Sequence, residues 1–112
     1  MEECIFCKVV KKEIPAKIVY EDDNLLALDD IAPKAPVHVL IVPKIHIATI
    51  KELKPENKNL IGEIFLIASK IAAQKGISES GYRILVNKGK DAGQTIDHLH
   101  FHVLGGHTLP FA

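Results

Sequence analysis

The chain has 112 residues, 47% of them hydrophobic, and its 14 basic and 14 acidic side chains give a formal net charge of zero. A length like this fits one domain spanning residues 1–112, able to bury roughly 65% of the surface its unfolded form exposes. With no long single-sign run, the charge pattern speaks against a nucleic-acid polymer or an anionic membrane surface as partner.

The longest apolar runs, VLIV and IFLIA, fall far short of the ~20 residues of a membrane span. A soluble, cytoplasmic protein is expected. Its only two cysteines, Cys4 and Cys7, form C-x-x-C, too close and too few to staple a secreted scaffold. A metal or redox role is left for them.

In chain order, IFCKVVKKEI reads as a short helix. Ile18 to Tyr20 and Leu25 to Asp29 are strand-like runs separated by EDDN, a turn-rich tetrad, and together predict a hairpin. PVHVLIVPK is rich in β-branched residues and bounded by Pro36 and Pro43, as suits a buried third strand. From Pro55 to Lys75 the period changes: Leu60, Ile64, Ile67 and Ile71, flanked by Ile61, Phe65, Ala68 and Ala72, mark one amphipathic helix ended by Gly76. YRILVN follows as a fourth strand, KGKDAGQT as a glycine-bearing loop, and HLHFHVLGG as a fifth strand. One long helix among hairpin-spaced strands predicts an α+β fold with a mostly antiparallel sheet, since parallel crossovers would need more helices.

The fifth strand holds three of the six histidines at alternate positions. In a strand, His98, His100 and His102 share one face while Leu99, Phe101 and Val103 enter the core. The outer two Cβ atoms then lie roughly 13 Å apart, too far for all three to meet one ion at Zn–N bonds of ~2.0–2.1 Å. Nucleophilic and acid/base chemistry at phosphorus fits better: a neutral imidazole attacks while its neighbours donate to phosphoryl oxygens or a leaving group. Imidazoles titrating near ~6.5 can divide these tasks. Just upstream, DAGQT offers close backbone approach at Gly93 and neutral donors at Gln94 and Thr95.

HLHFHVLGG resembles the signature of the histidine triad family. CIFCKVVKKEIPAKIVYEDD, LALDDIAPKAPVHVLIVPKIHI, GYRILVNKG and DAGQTIDHLHFHVLGG resemble its nucleoside-phosphoramidase branch, in order and over nearly the whole length. The resemblance implies a five-stranded antiparallel sheet with one long helix and a short N-terminal helix, extended to ten strands across a homodimer. An apolar helix and strand surface larger than a small monomer readily covers agrees with that. It also implies transfer or hydrolysis at the α-phosphorus of purine nucleotides through a nucleotidyl-histidine. His100 would be the nucleophile, with His102 and His38 contacting phosphate oxygens or relaying a proton. Asn87, Gly93, Gln94 and Thr95 would hold the phosphate, Thr95 keeping the hydroxyl of the serine common in eukaryotic members. Asp30 would accept the ribose hydroxyls. Phe6, Ile14, Leu28 and Leu40 would sandwich the base, although as residues they also read as plain core.

The chain departs from eukaryotic members at its end, GGHTLPFA, where they carry a longer tail; His107 has no assigned role. For the cysteine pair, no strand precedes Cys4 as a redox motif would require, so structural zinc is the better reading, two thiolates supplying half a tetrahedral site. Bacterial relatives with this pair resemble a pattern in which His46 and His98 complete it. Two reduced, buried cysteines remain the plain alternative. For the whole protein, a zinc hydrolase using a His98–His100 metal pair and a nucleotide-binding partner without turnover also stay open; on the favoured reading no catalytic cofactor is needed.

Overall fold

The first hairpin turns where a carboxylate replaces missing backbone partners: Asp22 Oδ1 accepts from the main-chain N–H groups of Asn24 and Leu25, both at 2.8 Å. This joins β1 (Ile18–Glu21) to β2 (Leu25–Asp29) in the computed structural model, which describes residues 4–110. The other elements are α1 (Ile5–Val10), β3 (Val37–Pro43), α2 (Lys58–Gln74), β4 (Tyr82–Val86) and β5 (Phe101–Gly105). The five strands form one sheet in the order β1-β2-β3-β5-β4 with every neighbouring pair antiparallel.

Both faces of the central strands are covered, which is why β3 reads as a continuous apolar run rather than an alternating one. On one face Leu25, Ala27, Val39, Ile41, Phe101 and Val103 pack with Ile64, Ile67, Ala68, Ile71 and Ala72 of α2. On the other, Leu26, Leu28, Leu40 and Val42 pack with Phe6 and Val9 of α1. Leu99 joins the α2 side, so the alternation read in the histidine segment holds: its apolar members go to the core.

Four expectations need correction. The fifth strand begins at Phe101, not His98. Across the ladder Ile41 faces Phe101, and two residues beyond Ile41 stands Pro43, which has no N–H to give. The segment instead bonds outside the sheet, Leu99 N–H donating to Ile47 O at 2.6 Å. The N-terminal helix stops at Val10 rather than running on towards Ile14, because Lys12 takes a positive φ of 64°. The long helix becomes α-helical at Lys58, Pro55–Asn57 forming a separate 3-10 turn. Phe65, grouped with the core stripe from its spacing, is 48% exposed and stands edge-on to Phe101; its neighbour Leu66 is 72% exposed. At the other end Gly76, with φ of 76°, ends the helix as expected. Among the described residues no helix is long and apolar enough to cross a membrane.

Candidate active site

The sheet face that carries α1 does not close over its strands, and a cavity of about 570 Å³ is left there. Leu28, Leu40 and His102 line it from β2, β3 and β5, Phe6 and Ile14 from α1 and the turn after it, and Asn87, Gly93 and Thr95 from the loop after β4. Asp30, His38 and His100 complete the polar lining.

Strand register brings two histidines together. His38 faces Leu104 and Leu40 faces His102, so the two imidazoles are diagonal neighbours on one face. Their Nε2 and Nδ1 atoms are 2.9 Å apart. The main-chain N–H of Lys34 donates to His38 Nδ1 at 3.0 Å, so the His38 proton sits on Nε2 and is donated to His102 Nδ1. His102 therefore carries its own hydrogen on Nε2, which is buried and has no partner among the described residues. Left so, that N–H costs about 1–3 kcal/mol, which an acceptor in the cavity would recover. His100 is oriented differently: its Nδ1–H donates to His98 O at 2.8 Å, leaving a lone pair on Nε2.

Burial drives His38 and His102 toward the neutral form. Desolvation lowers the His38 pKa despite the nearby Asp30 carboxylate. For His102, desolvation and then the neighbouring His100 and His38 lower it to about 4. His38 Nε2 lies 3.4 Å from Asp30 Oδ2, a distance that would make an ion pair if the ring were charged. Because the Lys34 N–H occupies the Nδ1 side, the neutral ring is the consistent state and this contact is a secondary share of the Nε2 hydrogen. The same geometry bears on Asp30, His38 and His102 as a metal-ligand group, for which they are close enough. The His38 nitrogen facing the other two bears a hydrogen, so the group is built as a hydrogen-bonded chain.

A second cluster lies behind the triad. His98 is fully buried and its Nε2–H donates to Pro43 O at 2.9 Å, which leaves the Nδ1 lone pair 3.3 Å from Cys4 Sγ and 3.6 Å from Cys7 Sγ. His46 Nδ1 stands 3.3 Å from Cys7 Sγ. Zn–S and Zn–N bonds of about 2.0–2.3 Å around a tetrahedron imply ligand separations of ~3.5 Å, so these two sulfurs and two nitrogens fit a zinc ion. Burial and the adjacent Cys4 sulfur push the Cys7 thiol up, a strain that a bound cation would relieve.

The HIT domain model matches residues 11–109. The chain belongs to the HIT domain family. It is 51% identical over 108 residues to an uncharacterised HIT-like protein of Synechococcus elongatus, covering 96% of this chain and 94% of that one. It is 45% identical over 108 residues to the purine nucleoside phosphoramidase of Escherichia coli K12, covering 96% and 91% respectively. A HIT family hydrolase from Clostridium thermocellum superposes with a TM-score of 0.96 at 48% identity, covering 100% of this chain and 97% of that one. The resemblance drawn from HLHFHVLGG and its flanks is thereby established, as is the five-stranded sheet with one long and one short helix.

Within this HIT domain all but one of the residues expected at the nucleotide and catalytic positions line the cavity; the exception is Gln94. Its Oε1 accepts from Gly89 N–H (2.9 Å) and its Nε2 donates to Ala48 O (3.0 Å) and Ile96 O (3.1 Å). Every side-chain polar atom of Gln94 is thus engaged in holding the loop. Sequence reasoning missed Ile31 and Lys34 at the cavity. Ile31, 98% exposed, belongs to no periodic apolar pattern in DDIAPKAP, and Lys34 acts through a main-chain N–H that no side-chain pattern reveals.

Since the unfolded chain protonates histidine near ~6.5 while folded His102 stays neutral to about 4, the unfolded state binds more protons between those values. Stability is expected to fall as pH drops through that window, with His102 contributing on the order of 1 kcal/mol between pH 7 and 5 after discounting for its partial exposure. Urea unfolding at the two pH values checks this: His102→Gln should fall less steeply than wild type, and parallel slopes would refute it.

Proposed function

We propose that this HIT protein is an enzyme that acts at the α-phosphorus of purine nucleoside phosphoramidates, or related nucleotidyl substrates, through a nucleotidyl-His100 intermediate, releasing a nucleoside monophosphate. The observation that carries it is the pairing of the His100 Nε2 lone pair with the unpartnered His102 Nε2–H on one cavity. A nucleophile and a donor for phosphoryl oxygen are what in-line attack at phosphorus needs. The Escherichia coli relative, by its name, is a purine nucleoside phosphoramidase, and the similar solved structure is a hydrolase.

His100 Nε2 attacks phosphorus and forms a P–N bond as the bond to the amine breaks, the amine leaving with the electron pair and a proton. That proton enters on the nitrogen of the bound substrate, while the His102 Nε2–H, held outward by the chain from Lys34 N–H through His38, donates to a phosphoryl oxygen. Water then attacks phosphorus as the P–Nε2 bond breaks; the bond's electron pair returns to the imidazole, one water proton passes to solvent, and the nucleoside monophosphate is released. Asp30 accepts from the ribose hydroxyls; Phe6, Ile14, Leu28 and Leu40 enclose the base; Asn87, Gly93 and Thr95 hold the phosphate on the loop that Gln94 fastens. Apolar walls carry few hydrogen bonds for reading the base, so purine selection is loose.

Cys4, Cys7, His46 and His98 would hold a structural zinc, which neutralises two thiolates and ties the start of α1 to the histidine segment. No catalytic cofactor is invoked. A His98–His100 metal pair is disfavoured, because His98 Nδ1 turns to the thiols while His100 Nδ1 donates to a carbonyl. The chain acts as one domain over residues 1–112, in the cytoplasm, where a C-x-x-C pair stays reduced and able to bind metal.

A homodimer completes the reading. β4 is an edge strand, half-buried throughout. Phe65 packs on Phe101, which faces Val86 of β4, so exposed apolar residues of α2 adjoin that edge. Pairing β4 with its symmetry copy makes ten strands and covers both.

Adenosine phosphoramidate should yield AMP, and His100→Ala should lower kcat by roughly four orders of magnitude; rapid-quench mass analysis should find a nucleotidyl adduct on the His100 peptide. Turnover retained in the variant, or binding with no turnover in the wild type, would overturn the catalytic reading. Zinc should be stoichiometric in the purified protein, and Cys4→Ser should lose it together with about 3 kcal/mol of stability; a zinc-free wild type as stable as the loaded one refutes the site. Light scattering should give twice the chain mass, shifted toward the monomer in Leu66→Glu, and a wild-type monomer at all concentrations would exclude the dimer.

A further inference from the structure

The catalytic reading leaves unexplained why the His102 hydrogen should sit on the buried, unpartnered nitrogen rather than on its other one. The origin lies outside the triad, in the loop DIAPKAP between β2 and β3. We propose that Lys34 is a positioning residue whose main-chain N–H, rather than its ammonium, sets the tautomers of His38 and His102 and so presents an N–H of His102 to the phosphoryl group.

The chain of donors can be followed atom by atom. Lys34 N–H meets His38 Nδ1 at 3.0 Å. A hydrogen on that nitrogen, in the other neutral tautomer or in the imidazolium, would face the amide hydrogen head-on, so Nδ1 must keep its lone pair. The His38 hydrogen is then on Nε2, 2.9 Å from His102 Nδ1 and 3.4 Å from Asp30 Oδ2. His102 Nδ1 accepts it, and the remaining His102 hydrogen is forced to Nε2, the one buried polar side-chain atom without a partner among the described residues. Reversing the first link would reverse the last. With its lone pair outward, His102 would repel an anionic oxygen instead of donating to it.

The loop is built to hold that first N–H still. Asp30 N–H donates to His38 O (2.9 Å) and Ala32 N–H to Asp30 Oδ1 (2.8 Å). Pro33 and Pro36 restrict the backbone on either side, and Ala35 is buried between them. By contrast the Lys34 side chain is exposed, its Nζ 3.4 Å from Ala32 O. The side chain at this position is therefore replaceable in a way that the amide is not.

The kinetic consequence rests on the phosphoryl-transfer reading; the tautomers do not, and two measurements keep them apart. In the full-length, nitrogen-15-labelled protein, NMR couplings across N–H···N hydrogen bonds should link Lys34 N to His38 Nδ1 and His38 Nε2 to His102 Nδ1. A hydrogen-bearing His38 Nδ1 would overturn the proposal, whatever the activity. In kinetics, Lys34→Ala removes the ammonium and keeps the N–H, whereas Lys34→Pro removes the N–H as well. With adenosine phosphoramidate, Lys34→Pro should be about 10-fold or more slower in kcat than Lys34→Ala, with similar KM, as expected for a misdirected transition-state donor. Equal kcat values would overturn it. If Lys34→Pro does not fold, the couplings in wild type decide; if couplings appear but no phosphoramidate is turned over, the reaction assignment fails and the tautomer assignment stands.

Discussion

His98 serves three partners at once, and the rest of the site hangs from it. Its Nε2–H reaches Pro43 O, its Nδ1 faces the two thiols, and its carbonyl receives the Nδ1–H of His100. A fully buried imidazole whose two nitrogens are both committed has one tautomer and one rotamer. That rigidity passes through a carbonyl to the neighbouring ring, which keeps a lone pair on the nitrogen facing the cavity. The first histidine of the motif thus orients the second.

Such an arrangement depends on a sheet covered on both faces. The α2 side supplies the apolar layer that takes Leu99, Phe101 and Val103, and the α1 side leaves a gap in which imidazoles are dry but reachable. Dryness explains why His102 titrates so low, and a neutral ring is a donor that does not repel its neighbours. The same low-dielectric setting strengthens each hydrogen bond in the Lys34–His38–His102 chain.

Much of this was legible in the residues. Period-two alternation in HLHFHVL told which side chains enter the core, and it held even where the ladder had not yet begun. The i, i+4, i+7 spacing of Leu60, Ile64 and Ile67 located the helix, and EDDN located the turn that Asp22 makes. What stayed hidden was main-chain chemistry and loop tertiary contacts. Ile47 O drawing Leu99 out of the sheet, and Lys34 N–H reaching His38, are backbone events indifferent to side-chain identity. Gln94 was expected to hold the phosphate, but its amide is engaged by Gly89, Ala48 and Ile96, and sequence cannot say whether an amide faces a ligand or its own loop. Phe65 misled because helical spacing marks a stripe without marking its edge.

Phe6 touches both ring systems: its centroid is 5.7 Å from that of His98 and 5.2 Å from that of His100. One aromatic residue is thus wedged between the cysteine-side cluster and His100 while forming part of the wall proposed for the base. Enlarging or shrinking this wedge would therefore disturb the packing of His100 as well as the wall. Ile14 and Ile31 line the same cavity from the turn after α1 and the loop after β2.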